Sequence, residues 1–268
     1  MEKSKEYILR YQRQIILNGF GIEAQEKITS AKVLVIGAGG LGCPILQYLV
    51  AVGVGVLGVV DNDQITLSNL NRQILFGQED IGKNKAITAT QKLIAQNNLV
   101  KINPYAQHCN QTFALEIFPK YDIIVDATDN FATRYLINDA CVLLKKPLVF
   151  GAVSQFEGQV AVFNVIKNGQ SFNYRDLFPV PPKSNEVLSC SEGGVLGVLP
   201  GIIGMLQAME VIKLITGIGA LLANELLTYN ALRLEYYKMQ IVQHPKSEKN
   251  RPTTLEAFTK LNYEWLCN

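Results

Sequence analysis

A strand, a glycine-rich turn, a helix and a second strand follow one another without a break from Lys32 to Asp61. Lys32-Val33-Leu34-Val35-Ile36 is a short, β-branched apolar run suited to a parallel strand covered on both faces. It passes straight into Gly37-Ala38-Gly39-Gly40-Leu41-Gly42, a G-x-G-x-x-G pattern with one extra glycine. The apolar segment after it tolerates Pro44 in a first helical turn, and residues 56–60 give a second strand that ends on Asp61. Gly37, Gly39 and Gly42 permit a sharp turn, close approach of backbone to phosphate and tight packing of helix on strand. Asp61 stands where a carboxylate accepts hydrogen bonds from ribose hydroxyls. The stretch predicts a βαβ nucleotide-binding unit and leaves open which nucleotide and which chemistry.

A polar segment leaves the carboxyl end of the second strand, where ligands sit in open α/β sheets: Asp61-Asn62-Asp63-Gln64-Ile65-Thr66-Leu67-Ser68-Asn69-Leu70-Asn71-Arg72-Gln73. Asp63, Ser68, Asn69, Asn71 and Arg72 can reach a sugar, phosphates and a metal from there. The same residue types also form turns and cap helices. Residues 77–83 match the start of a P-loop, G-x-x-x-x-G-K, but Asn84 replaces the Ser/Thr that would hold magnesium and no strand precedes Gly77. The phosphate-loop reading is therefore rejected. Lys83 and Lys85 open a helix running to about Asn98, with Lys85 either a phosphate ligand or a surface lysine.

Further along, a third strand over 102–107 is interrupted by Pro104, and a fourth, 122–126, ends in Asp126-Ala127-Thr128-Asp129-Asn130. Asp129 and Asn130 then lie beside the glycine turn. Asp129 suits Mg²⁺, which binds through few carboxylates plus phosphate oxygens, and Asn130 also suits a helix cap. After a fifth strand at 148–152 the pattern alternates over 158–165, and Lys167-Asn168-Gly169 supplies a hairpin signal. A proline-rich loop at 178–190, a long apolar helix to about Ile215 and strands near 226–229 and 232–239 complete the chain, with a loosely docked tail beyond Gln243.

The fold expected is α/β: a Rossmann-like parallel βαβ half continued by an antiparallel extension of the same sheet, with flanking helices. We read residues 1–243 as one composite domain, made of a helical arm (1–31), a nucleotide-binding half (32–153) and a second half (154–243), followed by a tail (244–268). A net charge of +2 gives no electrostatic case for nucleic acid or anionic membrane as partner. The longest apolar tract, 193–206, is too short to span a bilayer, and the charged N-terminus predicts no secretory leader, so a cytoplasmic protein is expected. Five cysteines, at 43, 109, 141, 190 and 267, with no C-x-x-C pair, argue against a disulfide framework and a cysteine zinc site. Cys43 and Cys141 fall on apolar helices, whereas Cys190 lies between two serines after the long loop.

Taken in order, Arg10-Tyr11-Gln12-Arg13-Gln14, the glycine turn, Asp61-Asn62-Asp63, Ser68-Asn69-Leu70-Asn71-Arg72-Gln73, Asp126-Ala127-Thr128-Asp129-Asn130 and Leu188-Ser189-Cys190-Ser191-Glu192 resemble the MoeB/ThiF family. This family comprises bacterial relatives of the ubiquitin-activating enzymes, and the resemblance covers roughly residues 7 to 243. It implies ATP-dependent adenylation of the C-terminal glycine carboxylate of a ubiquitin-like sulfur carrier ending in Gly-Gly, of molybdopterin or thiamine pathway type, with 154–243 as the carrier-binding half. By resemblance, Gly40, Asp61, Ser68, Asn69 and Asn130 hold the nucleotide, Arg72 and Lys85 contact phosphates, and Asp129 binds Mg²⁺. Arg13, otherwise a solvated basic residue three positions from Arg10, becomes an arginine finger supplied by the partner in a homodimer. Cys190 takes a persulfide or thioester role in some family members.

A departure concerns zinc. The family's two C-x-x-C pairs match Asn173 and Asp176, then Ser247 and Asn250, so zinc is predicted absent and the two segments are expected to be held by packing. Three alternatives stay open: an NAD(P)-dependent oxidoreductase, a non-catalytic nucleotide-gated scaffold, and an acyl-adenylate-forming relative acting on tRNA.

Overall fold

In a computed structural model, which describes residues 4–182 and 194–263, the strands form one eight-stranded sheet of order β3-β2-β1-β4-β5-β6-β7-β8. The strands are β1 Lys32–Ile36, β2 Val56–Val60, β3 Lys101–Tyr105, β4 Ile123–Asp126, β5 Leu148–Ser154, β6 Glu157–Phe163, β7 Glu225–Asn230 and β8 Glu235–Gln240. The first five in spatial sequence run parallel and the rest antiparallel, which agrees with the predicted two-part sheet. Pro104 sits on β3, an edge strand, where a missing N–H costs no ladder bond on the outer side.

Strand alternation sets the two faces. Val33 and Val35 of β1 join a core with Leu46, Leu49 and Ile203, while Leu34 and Ile36 join another with Phe113, Tyr135, Phe150 and Phe163. The first face is covered by α3 Gly42–Val52, α4 Lys85–Gln96 and α8 Val198–Thr216, the second by α5 Gln111–Ile117 and α6 Phe131–Leu143. Helices α1 Lys5–Ile15 and α2 Gly21–Ser30 form the N-terminal arm, and α7 Tyr174–Leu177 follows β6.

Three expectations need correction. The β5–β6 hairpin turns at Gln155, in the left-handed region at φ 51°, without a glycine or asparagine there; Lys167-Asn168-Gly169 makes a local turn closed by a Lys167–Gln170 bridge. The apolar helix extends through Thr216 and is, by length and composition, apolar enough to cross a membrane, although the apolar tract was expected to be too short. It packs against the sheet, and its polar residues find partners there: Gln207 Nε2 donates to Asp126 O at 2.8 Å, and Glu210 accepts from Leu222 N at 3.0 Å. Finally, residues 244–263 are docked rather than loose. They form α9 Pro245–Asn250 and α10 Leu255–Lys260, with Phe258 and Tyr263 buried in the second core.

Candidate active site

The glycine turn joins β1 to α3 through a backbone that side chains would obstruct. Gly37 has φ +100°, and a Cβ on it would lie 2.5 Å from the Ala127 carbonyl oxygen; one on Gly42 would collide with the Gly37 carbonyl. The turn therefore presses against the loop that carries Asp129. Asp61 braces it from β2, accepting from Ala38 N at 2.8 Å and Asp63 N at 2.9 Å. Burial pushes the Asp61 carboxyl up from its ordinary range, against the pull of Lys85 and of these two N–H groups. Gly39 borders Gln73, and Gly40 packs on Pro200 of α8 and on the stem of Arg72. Glycine turn, polar segment and the start of α8 thus meet.

Within the polar segment several side chains shape the loop itself. Thr66 N donates to Asn69 Oδ1 at 3.3 Å, Ser68 Oγ pairs with Thr66 Oγ1 at 3.0 Å, and Arg72 Nη1 donates to Ser68 O at 2.9 Å and Asn71 Oδ1 at 3.0 Å. The guanidinium is thereby aimed along the segment. Lys85 is a buried ammonium, 2.8 Å from the exposed Asp63 carboxylate, so it belongs to this edge and is not a surface lysine. Asn84 caps α4 by accepting from Ile87 N and donates to Asp61 O and Asp63 O, which explains its place where a P-loop would carry Ser/Thr. Reading the sequence alone misses this clamp, and it also misses His108, whose ring nitrogen lies 3.0 Å from Asn62 Nδ2 at the same edge.

Across the glycine turn, Asp129 and Asn130 are exposed at the end of β4. Asn130 caps α6, its Oδ1 accepting from Thr133 N at 2.9 Å. No three His, Cys, Asp or Glu side chains converge on a metal position among the described residues. The exposed Asp129 carboxylate nevertheless fits magnesium, which takes few protein carboxylates and completes its shell with phosphate oxygens and water.

Arg13 is not brought to this edge within the chain. Its helix docks at the far end of α3, where Tyr11 OH accepts from Asn97 Nδ2 and Gln14 donates to Val52 O. The length of α3, 11 residues or about 16 Å, separates that end from the glycine turn. Cys190 and the rest of the Leu188-Ser189-Cys190-Ser191-Glu192 motif lie outside the described residues. Cys43 and Cys141 are fully buried, and burial pushes the Cys43 thiol up to about 12 and the Cys141 thiol upward as well. Iodoacetamide on the native protein at neutral pH is expected to leave both unmodified in peptide mass spectrometry, and both become labelled in denaturant. Labelling of Cys43 before unfolding would contradict the burial argument.

The segments matched to the family's zinc ligands do come together. Asn173 Nδ2 donates to Asp176 Oδ2 at 2.7 Å and to Ser247 Oγ at 3.1 Å, and Asp176 Oδ1 accepts from His244 N at 3.1 Å. Asn250 instead turns to Pro179 O at 3.0 Å. Two amides, a carboxylate and a hydroxyl do not fit the thiolate set of a structural zinc. Hydrogen bonds, and not packing alone as expected, join α7 to α9.

The profile of the ThiF family matches residues 11–252. The chain is 48% identical to the sulfur carrier protein adenylyltransferase of Thermus thermophilus, over 100% of this chain and 99% of that protein. It is 45% identical to a probable adenylyltransferase/sulfurtransferase MoeZ of Mycobacterium tuberculosis, over 98% of this chain and 66% of that one. For the adenylyltransferase and sulfurtransferase MOCS3 of Sus scrofa the identity is 44%, over 98% of this chain and 57% of that one. The chain thus spans only part of the last two. Among solved structures, Escherichia coli MccB with ATP superposes with TM-score 0.75 at 24% identity, covering 90% of this chain and 74% of that one, a likeness of fold.

Proposed function

We propose, from the premise that this chain belongs to the ThiF family, that it activates a small sulfur-carrier protein by adenylating the carrier's C-terminal glycine. The chain is an adenylyltransferase, as is the Thermus thermophilus relative that it matches from end to end. That leaves the nicotinamide oxidoreductase and the non-catalytic scaffold without support. The observation that carries the finer reading is the convergence of Asp61, Arg72, Lys85 and Asp129 around one glycine turn at the carboxyl edge of the sheet.

A terminal carboxylate is already an anionic nucleophile at neutral pH. Its oxygen attacks the α-phosphorus of ATP, the bond to the bridging oxygen of the β-phosphate breaks, and pyrophosphate leaves with that electron pair. No proton moves, so the site needs no general base; its work is alignment and neutralisation of developing charge. Asp61 receives the ribose hydroxyls, and the Gly37 to Gly42 turn lets phosphate approach the backbone. Arg72 and Lys85 take up negative charge at the phosphates. Asp129 would hold Mg²⁺, which would supply positive charge to screen the triphosphate.

The reading places Arg13 in the site of a second copy, because its own site lies at the other end of α3. It seats the carrier against β8 and the turn before it, where Leu232, Leu234, Tyr236, Tyr237 and Met239 leave an apolar surface exposed on an edge strand. Cys190 and the choice between molybdopterin and thiamine pathways belong to the same proposal, as does a reducing, cytoplasmic setting. Incubation of the purified protein with ATP, Mg²⁺ and a Gly-Gly-ended carrier of the same organism is expected to give pyrophosphate exchange and a carrier whose C-terminus gains AMP by mass spectrometry. Exchange with none of that organism's carriers would refute the proposal.

A further inference from the structure

Arg134 is a buried cation one helical turn beyond the cap of α6, a position with no assigned role. Its Nη2 donates to the carbonyl oxygen of Thr128 at 3.0 Å, and its Nε lies 3.4 Å from Asp126 Oδ2. The other oxygen of Asp126 accepts from Thr128 N at 2.9 Å and from Thr128 Oγ1 at 2.6 Å. Thr128 is therefore held by its N–H, its hydroxyl and its carbonyl at once. The carbonyl belongs to the peptide unit that joins Thr128 to Asp129, so holding it sets the peptide plane from which Asp129 departs.

Hydrogen bonds tie the frame around this clamp to β1, α8 and the first turn of α6. Ala127 N donates to Ile36 O at 2.9 Å, Gln207 donates to the Asp126 carbonyl, and Arg134 N donates to Asn130 O at 3.3 Å. The guanidinium lies 5.0 Å over the ring of Phe150 and 5.7 Å from that of Phe131, which confines it to one plane. Among the described residues, Asp129 accepts none of the hydrogen bonds that hold the loop. A guanidinium that donates to a carbonyl through Nη2 while its charge faces a carboxylate suits this duty, and a lysine ammonium does not reproduce it.

We infer that Arg134 and Asp126 are positioning residues that aim the Asp129 carboxylate at the magnesium and phosphate position, a statement that rests on the adenylation reading of the same site. Neither touches substrate; each acts through Asp129. A purely structural ion pair would stabilise the loop without caring what Asp129 binds, and the two roles are separable by a double-mutant cycle.

The test measures ATP affinity of the full chain by calorimetry, with Mg²⁺ and with the metal chelated, in wild type, Arg134→Lys, Asp129→Ala and the double variant. The wild type is expected to bind ATP more tightly with Mg²⁺. Arg134→Lys is expected to lose most of that gain while keeping its metal-free affinity, and to change nothing further in the Asp129→Ala background. Pyrophosphate exchange by Arg134→Lys should fall about 10–10²-fold through kcat, the penalty of a displaced catalytic group. An Arg134→Lys protein that keeps the full Mg²⁺ gain, or one that loses affinity by the same factor in both backgrounds, overturns the inference. Should Arg134→Lys not fold, Thr128→Val removes the hydroxyl bond to Asp126 and leaves the ion pair; an undiminished Mg²⁺ gain there also overturns it. If instead the wild type binds no ATP, the adenylation reading itself falls.

Discussion

Asp129→Ala is expected to lower pyrophosphate exchange by about 10²–10³-fold, the range seen when one preorganised charge-stabilising group is removed, while the thermal transition stays where it is. The second half of that expectation follows from the hydrogen bonds of the loop. Its backbone is held by Asp126, Thr128, Asn130 and Arg134, and among the described residues the exposed Asp129 carboxylate supports none of it. Substitutions of that kind usually shift stability by no more than about 0.5 kcal/mol. Arg72→Ala should behave alike, because among the described residues its guanidinium bonds to Ser68 O and Asn71 Oδ1 of its own segment. Exchange assays with labelled pyrophosphate, paired with circular-dichroism melts, separate the two effects. An Asp129→Ala protein exchanging at the wild-type rate would remove the carboxylate from the chemistry and the proposed mechanism with it.

How much of this could be read without coordinates depends on how local the signal is. The turn between β1 and α3 was legible because a glycine at φ +100°, with a strand before it and a helix after it, is dictated by neighbouring residues of the chain. Pro104 pointed to an irregular strand, and its place at the sheet edge is the arrangement that makes it harmless. The site residues gathered at one edge for the same reason: in parallel strands every carboxyl end falls on that side. Three features escaped. Gln155 turns a hairpin with no turn-type residue, because the long β5 and β6 ladder imposes the reversal. The end of α8 was read within a residue, but its apolar tract looked too short to cross a bilayer because Gln207, Glu210 and Lys213 interrupt it, and only the fold shows Gln207 paired with the remote Asp126 carbonyl and Glu210 with Leu222. Arg134 reads as an ordinary helical arginine until the phase of α6 and the burial of Asp126 place the two together.

The same non-local logic makes Asp139→Ala the substitution with the largest expected loss of stability. Asp139 and Arg175 are both almost fully buried, and the pair is bidentate: Arg175 Nε donates to Oδ1 at 2.8 Å and Nη2 to Oδ2 at 2.7 Å. Tyr263 OH donates to Oδ2 at 2.7 Å, and the guanidinium lies 4.8 Å from the centre of the Tyr135 ring. Burial pushes the Tyr263 phenol up, and the neighbouring Asp139 charge adds to that, so the phenol keeps its proton and serves as donor. Removing the carboxylate strands a buried cation and releases the docked C-terminal segment, at a cost of about 3–5 kcal/mol. For a domain of this size that is a fall of order 10 °C in the melting temperature. The comparison that isolates the mechanism is Asp139→Leu with Arg175→Met: with both charges gone no ion is left unpaired, so this double variant should melt above Asp139→Ala. Because Asn173, Asp176 and Ser247 join α7 to α9 through hydrogen bonds, adding EDTA should move none of these transitions. A double variant no more stable than the single one would mean that the pair acts by packing rather than by charge, and a chelator-induced shift would mean that a metal helps hold α7 to α9 after all.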